Sequence, residues 1–359
     1  MLPLKINNFN SMKVTDERSI TTVTLFFILV VLLILFFIAD LFLGSVIIPV
    51  KQVLRTFFSS SDSSDTFRAI VMDFRLPKAL TAIATGAALS LSGLQMQTVF
   101  RNPLAGPYIL GISAGASLGV ALFVMGFSSL FAWGMFSSAG AWPLALVAWL
   151  GSFLVMLLVL YVSARVNDIM TLLILGMLFS SAVTAVVSIL QYFSSESMLK
   201  TFIIWTMGSL GSVTRSQLIV LLPAVILGII IAYVKVKDLN AFLLGEDYAR
   251  SLGVSIQSSR IVIFLSASLL AGTITAFCGP IGFIGIAVPH ICRVIFKTSN
   301  HLILVPAVLI MGSIVMLFSD IVSQLPGMQA TLPINSVTAI IGIPVIVWMI
   351  VKNKRFVSV

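Results

Sequence analysis

The stretch DLNAFLLGEDYARSLGVSIQS, residues 238–258, is a polar island in a chain that is otherwise almost continuously apolar. Asp238 or Asn240 can cap a first short helix, Gly245 can end it, and Glu246 to Leu252 can form a second that Gly253 terminates. Tyr248 and Leu252, four residues apart, would put an apolar stripe on one side and leave Glu246, Asp247 and Arg250 wet. Such a pattern suits either an amphipathic connection or a surface on which a soluble partner docks. What flanks the island decides which.

Of the 359 residues, 59% are hydrophobic and 9% charged, where a soluble domain carries about 25% charged residues. The mean hydropathy is +1.15. The chain therefore reads as an all-α integral membrane protein. The net charge of +9 does not point to nucleic acid, because the basic residues stand singly at the ends of apolar runs, the arrangement that sets membrane topology. Cys278 and Cys292 fall in or beside apolar runs and form no CxxC pair, so they read as buried thiols.

A span takes roughly 20 apolar residues, fewer where the helix is broken or shielded by protein. Ten runs qualify, at about 20–40, 76–97, 107–126, 141–162, 171–192, 216–236, 259–279, 282–297, 303–322 and 336–351. The first follows Lys5, Lys13 and Arg18, exceeds the core of about 7–15 residues in a signal peptide and lacks an A-x-A site, so it reads as a retained span. With the N-terminus inside, the inner segments hold twice as many of the 21 lysines and arginines as the outer ones. Both tails, 1–19 and 353–359, and the island are thus expected in the cytoplasm. Residues 20–352 form one transmembrane domain in this reading. Four spans (76–192) precede the island and four (259–351) follow it. An odd number of crossings separates their starts, so the two four-helix halves run in opposite directions, as in transporters built from inverted repeats.

Three outer segments interrupt the oil. Residues 44–74 form a polar connection with SSSDSSD at 59–65, FIIWTMGSLGS lies within 194–215 and places Trp205 at headgroup depth, and QLPGMQATLPIN (324–335) contains Pro326, Gly327 and Pro333, which forbid a continuous helix. Inside the bilayer, Gly111, Gly115 and Gly119 recur at spacing four, as do Ala82, Gly86 and Ser90, ladders that let backbones approach. Two broken elements, one per half, are FRNPLAGPYILG with Pro103, Gly106 and Pro107, and CGPIGFIGIAVPHICR with Pro280, Pro289 and glycines 279, 282 and 285. Irregular backbone at this depth must be covered by protein or face a watery cavity.

No catalytic constellation is present, and the chain is not expected to be an enzyme. No lysine follows a glycine, so the phosphate-cradling GxxxxGK[ST] loop is absent and an ATP-driven process would need its ATPase in another chain. Asp320, His290 and Arg293 are ionisable groups in or near spans, functional by default, yet each has a structural alternative. Asp320 could reach the interface, Arg293 could snorkel, and His290 could cap backbone freed by Pro289. His290 and Cys292 lack an evident third metal ligand.

Four ordered blocks carry a resemblance: RLPKALTAIATGAALSLSGLQMQTVFRNPLAGPYILGISAGASLG (75–119), GEDYARSLGV (245–254), GPIGFIGIAVPHICR (279–293) and LPINSVTAIIGIPVIVW (332–348). Together they are similar to the FecCD-type permeases of ABC importers, which take up ferric siderophores, haem and vitamin B12. The resemblance, covering about 20–352, implies a type II importer fold with ten helices per subunit and a homodimer in the bacterial inner membrane. It implies two ATPase subunits using ATP and Mg, a substrate-binding protein, and no cofactor or metal held by this chain. It assigns ATPase coupling to Gly245, Glu246, Ala249, Leu252 and Gly253, the inner gate to Asn102, Leu104, Ile169 and Met170, and docking of the binding protein to Arg75 and Lys78. Where the family often carries an arginine after the ninth span, this chain has Gln324, and Asn335 replaces a glycine in LPIN, a position that asparagine suits by tolerating positive φ. The remaining alternatives are an ion-coupled secondary transporter, with a carboxylate at mid-membrane, and an ABC permease for free metal ions.

Overall fold

The computed structural model describes residues 8–44, 65–126, 142–166, 168–324 and 331–352. Among these residues it contains helices and no strand. The first helix, α1 (Asn8–Phe42), is followed by a short helix Asp65–Ala69 and a π-helical turn Ile70–Arg75 that run directly into α2 (Leu76–Val99). The polar connection expected over 44–74 is therefore helical from Asp65 onward, and most of SSSDSSD lies outside the described residues. Pro77 at the start of α2 has no N–H to donate and crowds the preceding turn, the usual cause of such a widened segment.

Next come α3 (Ile112–Ala121), α4 (Trp142–Arg165), α5 (Ile169–Tyr192), the short α6 (Glu196–Thr206) and α7 (Arg215–Val234). The polar island forms α8 (Val236–Leu244) and α9 (Glu246–Ser251), and the second half contributes α10 (Ile256–Cys278), α11 (Ile284–Phe296), α12 (His301–Ser323) and α13 (Ile334–Lys352). Among the described residues eight helices are long and apolar enough to cross a membrane, and Ile112–Gly126 and Ile284–Phe296 are shorter apolar helices that complete the ten runs. Both short ones start later than their hydropathy suggests. Each begins at a residue in the left-handed region, Gly111 at φ 79° and Phe283 at φ 67°, a conformation glycine adopts freely and phenylalanine only under strain.

The halves repeat each other's packing. α2 runs along α12 as α10 runs along α4, α3 lies on α4 as α11 lies on α12, and α2 and α10 pack on one another. α2 and α10 are also the most buried spans. Small residues make these crossings possible: a Cβ on Gly86 would overlap the carbonyl of Gly312, one on Gly93 that of Gly285, and one on Gly151 that of Gly115. With no hydrophobic gain available between helices in lipid, such close backbone approach is what holds spans together.

Candidate functional site

The hairpin α8–α9 differs slightly from the sequence expectation. Its first helix starts at Val236, so Asp238 sits inside the first turn rather than at the cap. The carboxylate instead accepts from Lys235 Nζ at 2.8 Å and from Ser259 Oγ at 2.5 Å, tying the hairpin to the start of α10. Gly245 separates the two helices at φ 114°, and Gly253 follows the second at φ 83°. A Cβ at Gly245 would stand 2.5 Å from Arg101 Nη2, whereas nothing lies within 4 Å of one at Gly253. The first glycine is thus required by geometry and by space, the second by geometry alone.

Of the coupling candidates, Leu252 is 59% exposed and Tyr248 beside it 51%, forming the expected outward stripe. Ala249 is fully buried and faces the body, so it seats α9 and offers no surface to a partner. Its small side chain in a polar stretch marks close packing, not contact. Glu246 is not free either: its Oε1 accepts from Arg260 Nη2 at 2.7 Å, and the same guanidinium donates Nη1 to Val166 O at 3.3 Å. Arg260 therefore binds the hairpin to the loop between α4 and α5.

That loop leads into the gate candidates Ile169 and Met170 at the start of α5. Asp168 caps the helix, accepting from Met170 N at 3.3 Å and Thr171 N at 2.8 Å. A further bond from Thr171 Oγ1 at 2.5 Å holds the exposed Asp168 carboxyl below its ordinary range. The other gate loop follows α2. Asn102 Oδ1 accepts from Leu104 N at 2.9 Å in a tight turn, and Arg101 is forced to φ 47°. Arg101 Nε donates to Phe242 O of α8 at 3.4 Å. A cleft of about 520 Å³ gathers Ile169 with Arg101, Gly245, Glu246 and Tyr248, whereas Asn102, Leu104, Met170, Leu252 and Gly253 are not among its lining residues.

Two residues without any local sequence signal complete the linkage. His301, fully buried at the start of α12, places Nδ1 2.9 Å from Asn240 Oδ1 and Nε2 2.8 Å from Thr98 Oγ1. The Asn240 oxygen also accepts from His301 N at 2.8 Å. The imidazole thus bridges α8 to the last turn of α2, just before the gate loop. Arg260 is the other.

Arg75 and Lys78 lie at the far end of the bundle from the hairpin and are engaged within the chain. Lys78 Nζ is 3.0 Å from Asp320 Oδ2, and Arg75 Nη1 donates to Leu41 O at 2.8 Å and Phe42 O at 2.9 Å. Gln324 Nε2 donates to Asp320 Oδ2 at 2.8 Å and to Asp40 Oδ1 at 3.2 Å. Asp320 is 1% and Asp40 3% exposed, so near the end of α12 the Asp320 carboxylate is enclosed by its own chain. Asn335 is the second residue of α13, not at positive φ, and its Oδ1 accepts from Gly282 N at 3.0 Å. Pro326 and Gly327 lie outside the described residues. Cys278 and Cys292 are buried free thiols, and His290 Nδ1 is buried without a partner, so it caps no backbone.

A cavity of about 390 Å³ lies between α3, α5 and α6, lined by Ser113, Ser117, Ser180, Thr184, Ser188 and Gln191 among others. The α5 members recur at turn spacing, and three hydroxyls bond back to their own helix: Ser180 to Gly176 O at 2.9 Å, Thr184 to Ser180 O at 2.8 Å and Ser188 to Thr184 O at 3.0 Å. The polar period in SSAVTAVVSILQ was the available signal for it.

Comparison with known proteins fits this arrangement. The FecCD transport family matches residues 31–352. An uncharacterised ABC transporter permease of Bacillus subtilis (strain 168), YvrB, is 32% identical over 321 residues, 87% of this chain and 89% of its own length. The vitamin B12 import system permease BtuC of Salmonella paratyphi A is 35% identical over 289 residues, 79% of this chain and 84% of its own. A solved structure described as an inward-facing conformation of a proposed metal-chelate type ABC transporter superposes with a TM-score of 0.78 at 30% identity, covering 92% of this chain and 99% of that one. A helical bundle of two matching halves, a polar hairpin between them and a family match over nearly all of its spans place this chain in the FecCD transport family, as the membrane-spanning permease of an ABC importer.

Proposed function

We propose that the chain works as a homodimer with two ATPase subunits and a substrate-binding protein, importing an iron chelate (ferric siderophore or haem) or cobalamin across the inner membrane. Both termini and the α8–α9 hairpin face the cytoplasm in this reading, and ATP and Mg are handled by the ATPase. The observation that carries it is the double tether of the hairpin. Arg260 joins Glu246 to the α4–α5 loop, while Arg101 and His301 join α8 to the end of α2 and the loop after it. A push on the hairpin from an ATPase therefore reaches both gate loops through direct hydrogen bonds. The exposed stripe of Tyr248 and Leu252 is the surface that would receive it, and the hydroxyl-lined cavity beside α5 supplies polar wall for the path.

The ion-coupled alternative needs a free carboxylate at mid-membrane, whereas Asp320 is paired with Lys78 at the far end. Copurification separates the two readings: a stoichiometric ATPase chain is expected under gentle extraction, and its consistent absence would favour ion coupling. Within the importer reading, Glu246→Arg combined with Leu252→Ala should abolish ATP-driven uptake while the protein still folds. Unchanged uptake and ATPase association would remove the hairpin from the mechanism. Uptake of ferric siderophore, haem and cobalamin by the reconstituted complex identifies the cargo.

A further inference from the structure

A second cavity on the hairpin side adjoins the cleft around Ile169 and Glu246, sharing Arg101 and Leu244 with it, and the coupling scheme leaves its other walls unused. It measures about 350 Å³ and lies between the end of α2, the end of α8 and the last turns of α11. Arg101, Arg293, His290 and Gln97 line it together with Leu243 and Leu244, and no carboxylate is among its lining residues. Arg293 Nη1 donates to Gln97 Oε1 at 2.5 Å, and Gln97 Nε2 is itself committed to Ile286 O at 3.1 Å, so the guanidinium is held in place by a neutral partner. Neither Arg101 nor Arg293 has a carboxylate within ion-pair distance among the described residues. His290 is nine-tenths buried, and its Nδ1 has no partner.

Arg293 is partly buried and Arg101 exposed, so the cavity presents one guanidinium fixed by a neutral amide and a second able to close on a ligand, a positive wall that attracts an anion. Guanidinium groups are the side chains best matched to phosphate, which they bind through charge-assisted and often bidentate hydrogen bonds. The flanking leucines are 41% and 64% exposed at the end of an amphipathic helix, an apolar lip of the kind found where a protein meets the headgroup layer. We propose that this cavity binds a phosphate-bearing anion, with Arg101 and Arg293 as its cationic walls and His290 as a polar side. Its occupant would touch the loop after α2, the hairpin and α11 together, so occupancy would favour the arrangement in which these three elements are close. A phospholipid headgroup and free phosphate offer the same chemistry.

The test uses the full chain in two preparations. In phosphatidylcholine nanodiscs with and without phosphatidylglycerol, native mass spectrometry counts the anionic lipid retained. In lipid-free detergent, inorganic phosphate is titrated against thermal unfolding. Retention of phosphatidylglycerol without a phosphate response assigns a headgroup, and a phosphate-dependent rise in Tm assigns free phosphate. In either case Arg101→Gln and Arg293→Gln should each weaken binding by at least about tenfold, with Arg293→Lys losing less. Arg101 is exposed, so its variant reports binding even where Arg293→Gln fails to fold. No binding of either probe to the wild type, or unaltered affinity in Arg101→Gln, overturns the proposal. So does binding that disappears when the permease is assembled with its ATPase, which would give the cavity to a carboxylate of that partner.

Discussion

The two ends of the bundle are held by charges in opposite ways. At the far end, Asp40, Lys78, Asp320 and Gln324 tie the ends of three long spans, α1, α2 and α12, with both carboxylates almost out of solvent. At the hairpin end most ties run to a short helix or a loop, and the Glu246–Arg260 pair reverses the exposure, its carboxylate side chain 29% and its cation 3% exposed against 2% and 21% for those of Asp320 and Lys78. In each pair one partner is almost fully buried, so removing the other leaves an uncompensated charge. What differs is what the pairs join: the far one locks span to span, and the hairpin one joins a short helix to a span, the arrangement that the proposed coupling through the hairpin would use.

The largest effect that would break this contrast is at the far end. Lys78→Ala should destabilise the protein by about 3 kcal/mol in detergent unfolding, the low end of the range for a broken buried pair because Lys78 is itself 21% exposed, since Asp320 stays buried without its cation. A loss below about 1 kcal/mol would place the cluster with ordinary surface pairs. Gly245→Ala comes next, at about 1–3 kcal/mol, because φ 114° with ψ 152° is a backbone region that is essentially glycine's alone, and it also displaces Arg101. Its effect on ATP-dependent uptake should be larger, about 5- to 150-fold, the range of one coupling free energy. Uptake that falls only with stability would show that the hairpin angle does not matter. Gly253→Ala sharpens the point: positive φ but open space predicts a loss of about 1 kcal/mol, with uptake per folded molecule unchanged.

The smallest effect belongs to Asp168. Its carboxyl is held low by Thr171, so its contribution to stability is present above the unfolded value of about 3.9 and fades as pH falls through the lower folded value. Asp168→Asn still caps α5 and should change little at neutral pH. Melting curves taken between about pH 5 and 3 should lose part of their acid slope in the variant, and an identical slope would show that the cap is not ionised in the folded protein.

Spans and their order were legible because run length and hydropathy are local properties, and so were the two half-spans, flagged by Pro107 and Pro280. The hairpin was legible for the same reason, through Gly245 and Gly253. What could not be read is what depends on distant partners. Asp40 and Gln324 meet across 284 positions and His301 reaches Thr98 across 203, separations that leave no periodic trace. Lys78 came with a docking role from the family resemblance alone, which says nothing of the Asp320 that meets it from α12. Ala249 and Glu246 carried the hairpin's pattern, yet which faced inward depended on α10 supplying Arg260.

The back-bonded hydroxyls of α5 have one more consequence. Ser180, Thr184 and Ser188 have given their protons to the helix behind them, so they turn lone pairs rather than donors toward the cavity. An oxygen-rich solute finds no donor on those three hydroxyls and can take its hydrogen bonds from Ser113 and Ser117 of α3 or from Gln191. Within the proposed function, the cavity has an accepting wall on α5 and a donating one on α3, so it would sort solutes by where they carry their own donors.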